Sequence, residues 1–203
     1  EQLFTNAQVE LGQYSYSINV NTNIFNLMSQ YWAQNTYPDE SQYDLTGRTI
    51  PSNVWTIHYR DILNDLKEAE AQIKADEFME EDEQTVKIAI MEIVRVMAYY
   101  NLVTTFGDIP YSEALDGDNP SPAYDSQQTV YADLFERLDT AISDLNANIG
   151  ATSFTSSEDV IYSGDIDSWI TFAHSLRMRL AITVADNPPA DIDPQAIIED
   201  ADP

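Results

Sequence analysis

Apolar side chains recur in helical rather than strand-like order through most of this chain. From Val54, residues Trp55, Tyr59, Ile62, Leu66, Ala69 and Ile73 alternate spacings of four and three, which puts them on one side of a helix. Ser52 or Asn53 is its expected N-cap. From about Gln84 there are two stripes, Val86, Ile90, Ile93 and Met97 on one side and Ala89, Val96, Tyr100 and Val103 on another. A helix apolar on two sides sits between neighbours. After a loop, Asp125 or Ser126 can cap a helix carrying Tyr131, Leu134, Leu138, Ile142, Leu145 and Ile149, with Gly150 closing it. A fourth helix is expected from Asp167 or Ser168, with Trp169, Ala173, Leu176, Leu180 and Val184 on one face, ending before Asn187-Pro188-Pro189. A fifth begins at Pro194, after Asp193.

The first fifty residues are less regular. Two short helices are expected, around Asn6 to Gly12 and Asn23 to Asn35, separated by the polar stretch QYSYSINVN. No run alternates strictly enough to demand a sheet, so the pattern predicts an all-α fold. Helix starts near Asn53, Gln84, Ser126 and Ser168 are about 31, 42 and 42 residues apart, a spacing that suits stacked helix pairs of the tetratricopeptide kind, whose unit is about 34 residues. The tetratricopeptide consensus itself is not visible.

Charge narrows the partners. Thirty-five Asp and Glu against nine Lys and Arg give a net charge of −26, which repels nucleic-acid phosphates and anionic lipid headgroups. The longest apolar stretch, Ile88 to Val103, is interrupted by Glu92 and Arg95 and is shorter than the roughly 20 residues of a bilayer span. The absence of cysteine removes disulfides, thiolate metal sites and cysteine nucleophiles together.

In FGDIPYSEALDGDNP, Gly107 can take the positive φ that ends a helix and Pro110 blocks its continuation, so this stretch is expected to be a corner. Asp108, Glu113, Asp116 and Asp118 could supply the paired carboxylates of a glycosidase, but so acidic a chain offers such pairs by chance. DGDN at Asp116 to Asn119 opens like a calcium loop, yet Ser121 and Gln127 stand where that loop needs glycine and glutamate. His58 and His174 lie in no ligand spacing and read as structural. Glu92 and Arg95 could form a proton relay, but an ion pair is the expectation, as it is for Arg177 or Arg179 with a neighbouring helix's acid. No catalytic, metal or cofactor site is expected. Twelve tyrosines and three tryptophans are the unusual resource, since flat rings with polar tips stack on sugars. Trp55 and Trp169 fall on helix seams, which leaves YWAQNTYPDESQY, with Tyr31, Trp32, Asn35 and Tyr37 as the candidate ligand-binding residues and Tyr43 nearby. Phe25, Met28 and Trp32 also share helical spacing, which gives Trp32 a second reading as a core side chain.

The ordered segments NVWTIHYRDILNDLKEAEAQI, AYYNLVTTFGDIPYSEAL, PAYDSQQTVYADLFERLDTAISDL and WITFAHSLRMRLA resemble the SusD/RagB-like outer-membrane lipoproteins of Bacteroidetes, in particular the SusD-like branch. The resemblance covers Asn53 to Ala181. It implies a right-handed, tetratricopeptide-like scaffold of helix pairs, with residues 1–203 forming a single α-helical domain that is the N-terminal portion of a larger protein. It further implies a non-enzymatic subunit, lipid-anchored at the outer-membrane surface, that captures glycans or other nutrients with a SusC-like TonB-dependent transporter and uses no cofactor. The lipidated Cys of such proteins is not in this sequence. The alternative from another class is a helical-repeat module that binds protein or peptide and no sugar; it would use a groove between helices, whereas a sugar platform needs exposed rings in a loop.

Overall fold

The computed structural model describes residues 2–200, with the Asp200 side chain outside the description. Helices dominate: α1 (Gln2–Tyr16), a single turn α2 (Phe25–Met28), α3 (Ile50–Thr56), α4 (Asn64–Lys74), α5 (Glu81–Phe106), α6 (Gln127–Ala147), α7 (Ile166–Val184) and α8 (Pro194–Asp200). The only sheet among the described residues is a pair of two-residue strands, β1 (Ile109–Pro110) and β2 (Tyr124–Asp125), antiparallel with Ile109 opposite Asp125. The all-α expectation holds.

The middle of the chain folds around α5. Its two stripes are buried apart from half-buried Met97 and Tyr100, and it packs against α4, α6 and α7. Glu81, Asp82 and Glu83 occupy its first turn, where carboxylates complement the positive end of the helix, so it starts earlier than the apolar pattern implied. The α6 start follows the sequence: Ser126 Oγ accepts the Thr129 N–H at 3.2 Å. Its end does not, because α6 stops at Ala147 and leaves Ile149 exposed beyond it. For α7 the cap is Asp165, whose Oδ1 accepts the Ser168 N–H at 2.8 Å, and the stripe from Trp169 to Val184 is buried as expected. Asp193 Oδ1 accepts the Gln195 and Ala196 N–H groups and starts α8 at Pro194.

The rod formed by α3 and α4 corrects the expectation of one regular α-helix. It begins at Ile50, with Pro51 in the first turn, where a missing N–H costs nothing. Between its halves, Ile57–Leu63 is a π-helical segment. A wider turn shifts the phase of the side chains. The buried set runs by fours through Ile50, Val54, His58, Ile62 and Leu66, joined by Leu63 and Ala69, while Trp55 and Tyr59 turn half outward.

The N-terminal half departs furthest from the pattern. The first helix runs through Gly12 to Tyr16, and the second shrinks to one turn because Gln30 takes a left-handed φ of 62° just beyond it. Phe25 and Trp32 consequently lie on the surface, which removes the core reading of Trp32.

Behind α1, the segment joining α6 to α7 closes the core. Phe154 stacks on Phe4 with ring centres 4.2 Å apart, and fully buried Asp159 accepts from the Ile161, Tyr162 and Gly164 N–H groups and from Trp169 Nε1. These four bonds satisfy a buried carboxylate that would otherwise be costly.

Candidate functional site

The GDIPYSEAL stretch is a corner in geometry as well as sequence. Gly107 takes a φ of 82°, and a Cβ there would lie 2.9 Å from Gln127 Nε2. Asp108 Oδ1 accepts the Gln127 N–H at 3.0 Å, tying the end of α5 to the start of α6. Glu113 Oε2 accepts from Asn119 Nδ2 and the Ala123 N–H, while Asp116 Oδ1 accepts the Asp118 N–H. Asp125 Oδ2 accepts the Tyr111 and Ser112 N–H groups and the Ser112 hydroxyl. Three of the four suspected acids, Asp108, Glu113 and Asp116, therefore hold backbone in place, and Asp118 stands exposed beside them.

A charged ladder joins this corner to the helices. Lys74 meets Glu70 at 2.6 Å, Arg95 bridges Glu70 and Glu92, and Arg137 bridges Glu92 at 2.7 Å and Asp133 at 2.6 Å. The Tyr111 hydroxyl donates to Asp133, and the Arg137 guanidinium lies 5.4 Å from the Tyr111 ring centre. Burial alone would push the Glu70 carboxyl up, but Lys74 and Arg95 together hold it below the usual carboxylate range. Burial pushes the Tyr99 phenol up to about 12. Glu92 and Arg95 pair as expected, and Arg177 pairs with Asp139 across α6 and α7.

The histidines part company. His58 is fully buried, its Nδ1 2.8 Å from the Val54 carbonyl oxygen and its ring edge-on to Tyr14. Burial pushes its pKa down to about 4. His174 is exposed on α7, so the expectation of a satisfied structural histidine fails there: the burial stripe passes through Ala173, one residue away.

Between α1 and α3 lies the aromatic segment. Tyr31, Trp32 and Tyr37 are 83%, 45% and 73% exposed, and Asn35 is exposed among them. None of the three rings packs on another ring among the described residues. Polar clamps hold the segment. Gln34 Oε1 accepts from the Ser41 N–H while Ser41 Oγ accepts the Gln34 N–H at 3.0 Å. The Tyr43 hydroxyl donates to the Met28 carbonyl at 2.8 Å and accepts from Gln30 Nε2. Buried Glu40 pairs with Arg48 at 2.9 Å, Arg48 donates to Asn21 Oδ1, and Asn53 Nδ2 donates to the Asn21 carbonyl. Gln30, Tyr37 and Tyr43 all take left-handed φ values, a strain of about 1–2 kcal/mol each that these clamps must offset. The result is a shaped loop that presents flat rings and an amide to solvent.

Sequence reasoning missed Tyr124, an exposed ring stacked 6.2 Å from Trp55 at the corner. Its only signal was a position next to the α6 cap. Among the described residues, no group of three or more His, Cys, Asp or Glu is arranged to hold a metal ion.

Over residues 1–201 the sequence matches the profile of a SusD-like family described as starch-binding and associating with the outer membrane. A chitin-binding protein of known structure is similar, with a TM-score of 0.72 and 23% identity over 98% of this chain and 41% of its own. A chitin-binding SusD homologue from Flavobacterium johnsoniae gives a TM-score of 0.70 and 26% identity over 98% of this chain and 40% of its own. A SusD homologue from Bacteroides ovatus gives 0.69 and 26% over the same shares. A comparison with curated protein sequences finds no match. The chain spans about two fifths of the length of these solved relatives.

Proposed function

Because the chain belongs to the SusD-like family, described as starch-binding and associating with the outer membrane, we propose that it is part of a non-catalytic subunit that captures a glycan or another nutrient at the cell surface. In this reading the whole protein is lipid-anchored at the outer membrane and delivers its ligand to a SusC-like TonB-dependent transporter, and residues 1–203 form its N-terminal helical domain.

One observation carries the proposal: Tyr31, Trp32 and Tyr37 are exposed together with Asn35 on a loop held by the Gln34–Ser41 and Tyr43–Met28 hydrogen bonds. A loop held in shape before the ligand arrives loses little backbone freedom when a sugar stacks on its rings, and an amide supplies directional bonds to hydroxyls. Stacking on one ring face removes about 60 Å² of apolar surface from water, worth about 1.5 kcal/mol or tenfold in Kd. The same exposure favours a sugar platform over the peptide-groove alternative. Absence of catalysis fits the acids, since Glu92 and Asp133 are held in ion pairs and Asp108 and Glu113 in backbone bonds.

The test is isothermal titration of the full-length protein with neutral starch- and chitin-type oligosaccharides, followed by chromatography of the recovered sugar. Binding with intact sugar is the expected result. Hydrolysis products would overturn the non-catalytic reading, and heat-silent titrations across the panel would overturn glycan capture.

A further inference from the structure

A second surface uses none of the Tyr31, Trp32, Asn35 and Tyr37 side chains. The last turn of α1, the segment entering α2, the outer face of α5 and one residue of α7 enclose a cleft of about 440 Å³, within the range of about 300–1,000 Å³ usual for small-ligand sites. Tyr16 and Phe25, 88% and 42% exposed, stand with half-buried Tyr100 as its rings. Asn23, Asn101 and Arg179 supply polar groups.

The charge of this cleft departs from that of the chain. Although 35 of 203 residues are acidic, none of the residues lining the cleft is an Asp or Glu. Arg179 is the odd cation as well. Of the nine Lys and Arg side chains, seven pair with carboxylates and Lys67 donates to the Leu115 carbonyl. Among the described residues, the guanidinium of Arg179 alone has neither kind of partner. Exposed, and with an acid-free, ring-lined cleft beside it, it leaves a forked set of donors for an oxyanion.

We propose that this cleft is a distinct saccharide subsite that takes a sugar unit bearing an anionic substituent, a carboxylate or a sulfate, with Arg179 pairing the anion and Tyr16, Phe25 and Tyr100 packing on the ring. The proposal deepens the glycan-binding reading but uses different residues from the Tyr31 loop. A net charge of −26 repels anions at long range, so the ligand is a short oligosaccharide with one or few anionic groups rather than a dense polyanion.

The experiment is isothermal titration of the full-length protein with three matched oligosaccharides: one neutral, one with a single uronate unit and one with a single sulfate. The expected result is at least fivefold tighter binding of one or both anionic probes than of the neutral one, and which anion is preferred identifies the source. Arg179→Gln, at an exposed helix position, should abolish the preference while leaving neutral binding unchanged, and Arg179→Lys should restore part of it. Equal affinity for all three probes in the wild-type protein, or a preference that survives Arg179→Gln, overturns the proposal. An anionic preference that depends on Arg179 but is insensitive to Trp32→Ala supports this subsite even where the Tyr31 loop fails.

Discussion

Gly164→Ala is expected to destabilise the helical scaffold by about 3 kcal/mol. Gly164 has a φ of 80°, and a Cβ added there would sit 1.8 Å from the Phe154 carbonyl oxygen and 2.9 Å from its carbonyl carbon. Neither atom belongs to a flexible side chain, so backbone must move. The left-handed conformation alone costs an L-residue about 1–2 kcal/mol, and displacing packed backbone adds about 1–3 kcal/mol. Movement of Phe154 also disturbs its stacking on Phe4, and movement of Gly164 pulls on the N–H that Asp159 accepts at 2.8 Å. Urea denaturation followed by circular dichroism measures the change. Gly117→Ala is the control: nothing lies within 4 Å of its added Cβ, and its φ is not positive, so a change within about 0.5 kcal/mol is expected. Gly164→Asn separates the two causes, because Asn tolerates a left-handed φ but still carries the Cβ. It should recover the backbone part of the cost, about 1 kcal/mol, and still fall short of wild type by the clash with Phe154. A Gly164→Ala protein within about 0.5 kcal/mol of wild type would refute the packing described around Phe154.

Other outcomes follow from the buried polar groups. His58, with a folded pKa near 4 against 6.5 for the free side chain, binds its proton more readily when unfolded. Its contribution to stability is therefore present above pH 6.5 and is lost as pH falls toward 4, by about 3 kcal/mol in all. An NMR titration should find a midpoint near 4, and a value above 6 would contradict the buried, neutral ring. Arg137→Met removes the shared partner of Glu92 and Asp133 and should cost about 2 kcal/mol, less than a fully buried pair because the side chain is partly exposed. Arg177→Met, which breaks a more exposed pair with Asp139, should cost about 0.5 kcal/mol in the same denaturation experiment.

Regular helices were legible in the chain because their burial needs a repeating apolar stripe, and α5, α6 and α7 carry theirs with few interruptions. Caps at Ser126 and Asp193 were legible for the same local reason. The π segment was not. Its sign was the four-residue spacing of Val54, His58, Ile62 and Leu66, which competes with a Trp55 and Tyr59 stripe that fits an ordinary helix better. In the N-terminal half, helical spacing at Phe25, Met28 and Trp32 misled, since left-handed Gln30 ends the turn before the stripe can be buried. The clamps that shape the aromatic segment join residues at irregular separations, such as Glu40 to Arg48 and Asn21 to Asn53. No periodicity records such pairs. Arg179 is a further case, because its lack of a partner depends on where every acid falls in the fold.

Titration of the Trp32→Ala and Tyr37→Ala variants of the full-length protein, with a neutral oligosaccharide that the wild type binds, tests the central claim most directly. Each variant is expected to raise Kd about tenfold while retaining the wild-type unfolding midpoint, since both rings are exposed and packed on no other ring. Unchanged affinity in both variants would contradict the assignment of ligand capture to this loop.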